Sequence, residues 1–315
     1  MATKQNEAAE TKLGSHGHGT DDRNASVLFD VNGELVPRER AVVSVFDSGF
    51  ILGDGIWEGL RLKGGRIAFL ERHLDRVFNG ARAIDLDIGL TRDELRARIQ
   101  RVIDANKMTD GVHIRLMVTR GEKATPYQDP RVVISAATIV ILAEYKSAPA
   151  EAFTAGLSLF TVHVRRGRPD VQDPRLNTHS KHNCIQACIQ ATKAGADEAL
   201  MLDPQGFVAT CNSTHFFIVR KGEVWTSTGD YCLDGITRGA VIEAAQAAGI
   251  TVRQKNFSLS EVYAAEEVFV TGTYAGLTAV GSVDGRDFEG PFPGPMVRRL
   301  TELYQTLAYS TTSTN

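Results

Sequence analysis

Apolar residues recur at helical spacing from Phe69 to Ile84, at Leu70, Leu74, Val77, Ala81 and Ile84, which predicts a helix with one face turned to a core. A second helix is predicted close behind it, because Thr91 and Glu94 form a capping box ahead of Leu95, Ile99, Val102 and Ile103. From Val112 to Thr119 the period falls to two. Val112, Ile114, Leu116 and Val118 take one face and His113, Arg115 and Met117 the other, the signature of a half-buried strand. Nearer the start, Ser26–Val31 and Glu34–Val36 flank Asn32-Gly33, the dipeptide that best supplies a tight hairpin turn. The longest apolar stretch, Val132 to Ala143, is broken by Ser135 and Thr138 and falls short of the ~20 residues that cross a bilayer, so it reads as a buried strand.

Lys146-Ser-Ala-Pro-Ala is a short Pro-containing connection, after which strand signals begin afresh. The second half then predicts a helix over Asn183–Gly195, a strand over Glu198–Leu202 and a turn at Asp203-Pro-Gln-Gly206. A hairpin follows, His215–Arg220 against Val224–Ser227. Thr237–Gly249 reads as a helix with a Thr cap and a Gly stop. Strands over Val268–Thr271 and Thr278–Val283 and a final amphipathic helix over Pro295–Tyr309 complete the chain. Strands and helices mix without strict alternation, which favours α+β over a doubly wound sheet. The expected organisation is a flexible tail over 1–24, a small α+β domain over 25–145, a linker over 146–152 and a second, larger domain over 153–315.

Composition narrows the function. At roughly 150 residues per domain, 315 residues suit two domains. A net charge of −3 provides no general surplus of cations for a nucleic-acid backbone or an acidic membrane surface. Met1 to Asn24 has no apolar segment of the kind that heads a secretory signal, which points to the cytoplasm. The cysteines Cys184, Cys188, Cys211 and Cys232 form no C-x-x-C pair, and their spacing with His179 or His182 matches no standard zinc pattern, so free thiols and no metal are expected.

Candidate chemistry gathers in a few places. Gly235-Ile-Thr-Arg238 enters a helix, where unpaired backbone N–H groups and the Thr237 hydroxyl make an anion cradle. Gly272-Thr273 follows an apolar strand and offers a second set of amides and a hydroxyl.

Together with Asp47-Ser-Gly-Phe-Ile-Leu-Gly-Asp-Gly-Ile-Trp-Glu-Gly-Leu-Arg61, Glu71-Arg-His-Leu-Asp-Arg76 and Gly195-Ala-Asp-Glu-Ala199, these motifs resemble, in order, those of the class IV aminotransferases, from about Asp30 to Thr306. That resemblance implies a two-domain fold type IV enzyme, with a small N-terminal α+β domain and a larger C-terminal mixed β-barrel-like domain with helices. It implies pyridoxal 5'-phosphate (PLP) as cofactor, held as an imine on a lysine. Arg76, Ile236, Thr237 and Thr273 fall on the positions that grip its phosphate. Lys181 is the only lysine between Ser147 and Thr192, and so becomes the catalytic lysine. It stands 14 residues before Gly195, about one helical turn fewer than in the family, and an ungapped alignment would put Asn177 in its place.

Thr210 falls where the family has a glutamate facing the pyridine nitrogen, and His215 where it has an asparagine. A neutral hydroxyl can donate to the nitrogen but holds no charge against a pyridinium, so an unprotonated ring and a poorer electron sink are expected. Trp57, His113, Arg115 and Tyr274 are the candidate substrate contacts, with Arg115 suited to a carboxylate through its fork of N–H donors. Leu52 stands where some relatives have a tyrosine. The function implied is transamination between an amino acid or amine and a 2-oxo acid, in a homodimer. The alternatives are a PLP lyase resembling aminodeoxychorismate lyase and a degenerate member that binds the cofactor without turnover.

Overall fold

In a computed structural model of the protein, residues 21–147 and 156–310 are described. Residues 28–145 build a six-stranded sheet in the order β2-β1-β6-β5-β3-β4. Its strands are β1 Leu28–Val31, β2 Glu34–Pro37, β3 Gly55–Lys63, β4 Arg66–Ile67, β5 Val112–Thr119 and β6 Thr138–Tyr145. The β1–β2 hairpin turns where expected, with Asn32 and Gly33 both at positive φ (51° and 94°). The short helix α1, Ser48–Leu52, precedes β3; α2, Leu70–Ala83, and α3, Arg92–Ala105, cover one face of the sheet. The capping box at Thr91 forms. Leu74, Val77, Leu95, Ile99 and Val102 meet Leu60, Leu62, Ile114 and Leu116 in one core.

The second sheet has nine strands, ordered β12-β11-β10-β13-β14-β7-β8-β9, with β15 on β14. They are β7 Leu157–Thr161, β8 Glu198–Leu202, β9 Val208–Cys211, β10 His215–Arg220, β11 Glu223–Thr226, β12 Val252–Gln254, β13 Glu267–Gly272, β14 Gly276–Val283 and β15 Arg286–Asp287. Cys211 N–H donates to the Thr214 carbonyl (3.0 Å) in the short turn that joins β9 at one end of this order to β10 near the other. The sheet therefore curls on itself, which gives the barrel-like form. Helix α4, His182–Lys193, packs Ala187 and Ala191 on Ala199 and Met201 of β8. Helices α5, Ile236–Ala247, and α7, Pro295–Tyr309, cover Phe217 and Phe269, while α6, Leu259–Tyr263, closes the opposite core with Val262.

Three expectations are corrected. Residues 21–24 are no tail: Asp21 caps a 3₁₀ turn over Asp22–Ser26, and Asn24 exchanges hydrogen bonds with the Tyr145 backbone. The remainder of that tail, and residues 148–152 of the linker, lie outside the described residues. The strand expected from Val132 starts only at Thr138. Pro130 opens a 3₁₀ turn there instead, and Ser135 Oγ accepts from Glu122 N–H, which holds 133–136 as a loop. Thr237 does not cap its helix; Gly235 does, and Thr237 sits buried in the first turn.

Candidate active site

Strand β3 pairs with β5 so that Trp57 faces Met117, Gly59 faces Arg115 and Arg61 faces His113. Strand alternation puts these six on one side of the sheet while Leu60, Leu62, Ile114 and Leu116 enter the core on the other. The result is a wall of candidate side chains backed by the core. Arg115 lies with its guanidinium 4.5 Å over the Trp57 ring, and desolvation there lowers its pKa.

Glu58 belongs to the core side of β3 and is 1% exposed. Its carboxylate accepts from Arg76 Nε (2.6 Å) and Nη2 (2.7 Å), and pairs with His73 Nδ1 (2.6 Å), both on α2. Burial would raise the Glu58 pKa, but the bonds from His73 and Arg76 outweigh it and leave it lowered. This fork aims Arg76, whose Nη1 donates to the Asp234 carbonyl (2.6 Å) just before α5. Glu58, His73 and Asp234 were missed from sequence. Glu58 did leave a signal, an acid at a core-facing strand position with an arginine on the helix packed over it.

Residues 177–179 run along β3. Trp57 N–H donates to the Asn177 carbonyl (2.9 Å), the Asn177 amide donates to the Trp57 carbonyl (2.6 Å), and His179 N–H donates to the Gly55 carbonyl (2.9 Å). Asn177 is thereby locked as a backbone clamp. Lys181 follows as the residue that starts α4, with its Nζ 5.6 Å from the centre of the Trp57 ring. Burial lowers its pKa to about 8; Cys184 and Glu58 pull it up, while Arg166 and Arg76 push it further down. The amine thus shares the electrostatic surroundings of Arg76 and Glu58. His179, also held below its usual pKa by burial, feels both Lys181 and Arg115.

At α5 no side chain caps the helix, and helical geometry leaves the amides of Ile236 and Thr237 without intrahelical partners. Gly235 is required here, since a Cβ would lie 2.2 Å from His215 Cε1. His215 Nε2 donates to the Leu233 carbonyl (2.8 Å); burial drives its pKa down to about 3, so the ring is neutral. Thr237 is engaged with the buried hydroxyl of Tyr304. A cavity of about 430 Å³ opens beside Arg76, Asn177 and Gly235.

Thr273 and Tyr274 follow β13 in the turn to β14, and Tyr274 meets His113 edge to face with ring centres 5.6 Å apart. The first sheet's wall and the second sheet's loop therefore touch. The buried Thr271 hydroxyl, at the end of β13, has no hydrogen-bond partner among the described residues. Thr210 lies on β9, beside Met201, and its hydroxyl donates to the Thr214 carbonyl (2.8 Å). Behind that turn, Glu198 Oε1 accepts from Ser213 and Thr214.

The donors present suit a phosphate monoester linked to a carbonyl-bearing ring. A guanidinium and helix N-terminal amides meet a dianion, and a desolvated amine meets a carbonyl. Over residues 55–283 the sequence matches the amino-transferase class IV family. The chain belongs to the class IV aminotransferases. Branched-chain-amino-acid aminotransferase-like protein 2 of Arabidopsis thaliana is 40% identical over 284 residues, 90% of this chain and 51% of that protein. The chain thus spans about half the length of this plant relative. A putative branched-chain-amino-acid aminotransferase of Methanocaldococcus jannaschii is 36% identical, covering 88% of this chain and 95% of its own length. Among solved structures, a branched-chain aminotransferase from the archaeon Thermoproteus uzoniensis with norvaline superposes with a TM-score of 0.79 at 29% identity, over 89% of this chain and 94% of that one. The archaeal enzyme thus shares the fold described above.

Proposed function

We propose that this class IV aminotransferase binds PLP and moves an amino group between an amino acid and a 2-oxo acid, with Lys181 as its catalytic lysine. The observation that carries this reading is the Lys181 amine, desolvated beside Trp57 and lowered to a pKa of about 8. An amine so poised is neutral often enough to attack a carbonyl and to act as a base. When bound, PLP supplies the electron sink that makes the substrate α-carbon acidic. Arg76, held by Glu58, and the amides of Ile236 and Thr237 bind the phosphate, with Thr273 as a further donor. Trp57 and Tyr274 flank the substrate, and Arg115 and His113 receive its carboxylate. With PLP bound, Lys181 would hold it through its amine, and the same amine would serve as base and then acid for the substrate's α-proton.

The reading also assigns the protein to the cytoplasm as a homodimer of two-domain chains, with the domains divided near 146–152. Exposed apolar side chains on residues 42–50 support the association, as argued below. The test is spectral. Purified holoenzyme mixed with single amino acids should lose its cofactor absorbance, release the matching 2-oxo acid, and regain absorbance on adding an acceptor. Bleaching by no donor, or pyruvate release without an acceptor, would replace this reading with the inert or the lyase alternative.

A further inference from the structure

A second cavity, of about 460 Å³, opens between the far end of β3, the turn at Asp110 and the C-terminal end of α7. Its volume is in the range of small-molecule sites. Thr273 and Tyr274 form part of its wall, whereas Lys181, Trp57, Arg115 and Arg76 do not. Along one strand, Arg61 lies four residues beyond Trp57, roughly 13 Å at 3.3 Å per residue. The cavity therefore lies beyond Trp57 and Arg115 along the strand and meets the proposed cofactor site at the loop that carries Thr273 and Tyr274.

Its lining is specific in kind. Arg61 and Lys63 bring two cations against one acid, Asp110, whose Oδ1 already accepts from Gly111 N–H (2.8 Å). Arg61 gives one N–H to the Lys146 carbonyl (2.7 Å), and its guanidinium lies 5.5 Å from the Tyr274 ring centre. Lys63 Nζ sits 5.3 Å from the ring of Tyr309, and Lys146 Nζ the same distance from that of Tyr274. Tyr304 adds a third ring. These cations rest on aromatic faces with no carboxylate at ion-pair distance among the described residues, and so offer both halves of a binding site, charge for an anion and flat apolar surface for a ring. An aliphatic anion would use only the first half, and a neutral aromatic only the second.

We propose that this cavity binds an aromatic carboxylate, its anionic end on Arg61 and Lys63 and its ring among Tyr274, Tyr304 and Tyr309. Occupancy would press on the 272–276 turn that carries Thr273, and so reach the cofactor site without entering it. Benzoate is a suitable probe, being neither an amino donor nor a 2-oxo acid. Titrated calorimetrically into the holoenzyme, it should bind saturably and more tightly than acetate. Arg61→Met and Lys63→Met should each weaken it about tenfold, the loss of one charge-assisted contact, with circular dichroism unchanged. Two variants guard against failure of either one to fold. Lys181→Ala should leave the affinity as it was. Absence of saturable binding, equal binding of acetate, or loss in Lys181→Ala with retention in Arg61→Met would each overturn the proposal, the last by placing the probe in the transamination site.

Discussion

Lys181 illustrates how one side chain's environment sets its chemistry. With its pKa lowered to about 8 by burial, the fraction of neutral amine rises as pH climbs through 8 rather than through the ordinary lysine value of 10.5. Capture of PLP by the apoprotein, followed by absorbance, should therefore accelerate up to about pH 8 and then level off; a rate still climbing steeply beyond pH 9 would mean the amine is solvated. Lys181→Ala should abolish borohydride-stable labelling by PLP. Label retained in that variant would move the assignment elsewhere. Lys181 stood out as the candidate because no other lysine lies in the segment, and the structure adds that Asn177 spends its amide on the Trp57 carbonyl. Thr210 is the opposite case. Its identity announces a hydroxyl in place of a carboxylate but not the direction of the proton, which goes to Thr214. A hydroxyl so committed presents only lone pairs outward, and where it faces the ring nitrogen it favours the protonated form that donates to it. This reading runs against the expectation of an unprotonated ring, and the protonation state of the bound cofactor separates the two. Nitrogen NMR of labelled cofactor should show a pyridinium signal that weakens in Thr210→Val, a nearly isosteric change, together with slower α-proton removal. An unprotonated nitrogen in the wild type would return Thr210 to the role of donor.

At the scale of elements, the proposed phosphate end depends on two pieces meeting, α2 with Arg76 and the N-terminus of α5. Arg76→Ala removes charge-assisted bonds of about 1.5–3 kcal/mol, roughly tenfold to a hundredfold in PLP affinity. Thr273→Ala, which removes a neutral donor, should cost less, so equal losses by equilibrium dialysis would refute the division of roles. Glu58→Ala should be worse for the fold than for the cofactor. It leaves His73 and the Arg76 guanidinium beside an empty buried position, and breaking one partner of such a pair typically costs about 3–5 kcal/mol. Thermal unfolding would read this directly. Legibility followed the same line. Helices α2 and α3, the β1–β2 hairpin and β5 were read from period and caps because their core faces keep an unbroken apolar pattern. Strand β3 was not read as a strand, although it builds the site. Gly55 and Gly59 weaken its propensity, Glu58 puts a charge on the core side, and Trp57 lies against Arg115 on the other, so the apolar alternation is broken. The Thr237 cap failed for a related reason: its hydroxyl is turned to Tyr304 rather than back to the helix.

For the molecule as a whole, the two sheets are joined by charged contacts as well as by the site. Arg76 reaches Asp234, Arg72 pairs with Glu243 (2.9 Å) and Arg66 donates to the Ser310 carbonyl (2.9 Å). A surface remains that these contacts do not explain. Val42, Val45 and Phe50 are 70%, 68% and 70% exposed, with Val43 and Phe46 beside them, all on the segment that leads into Trp57. A run of large apolar side chains open to water is the mark of an association surface, and each one covered gains about 25 cal/mol per Å² of apolar area. A second copy of the chain is the partner that the homodimer reading supplies. Sedimentation should give a dimer for the wild type and a monomer for the Val45→Asp/Phe50→Asp variant, because two charges per chain at a self-complementary contact appear four times across it. Neither residue lies in the wall of Trp57, His113 and Arg115, so the monomer should keep its circular dichroism. A wild type that sediments as a monomer would end the homodimer reading, whereas a dimer indifferent to these two aspartates would move its interface to another face.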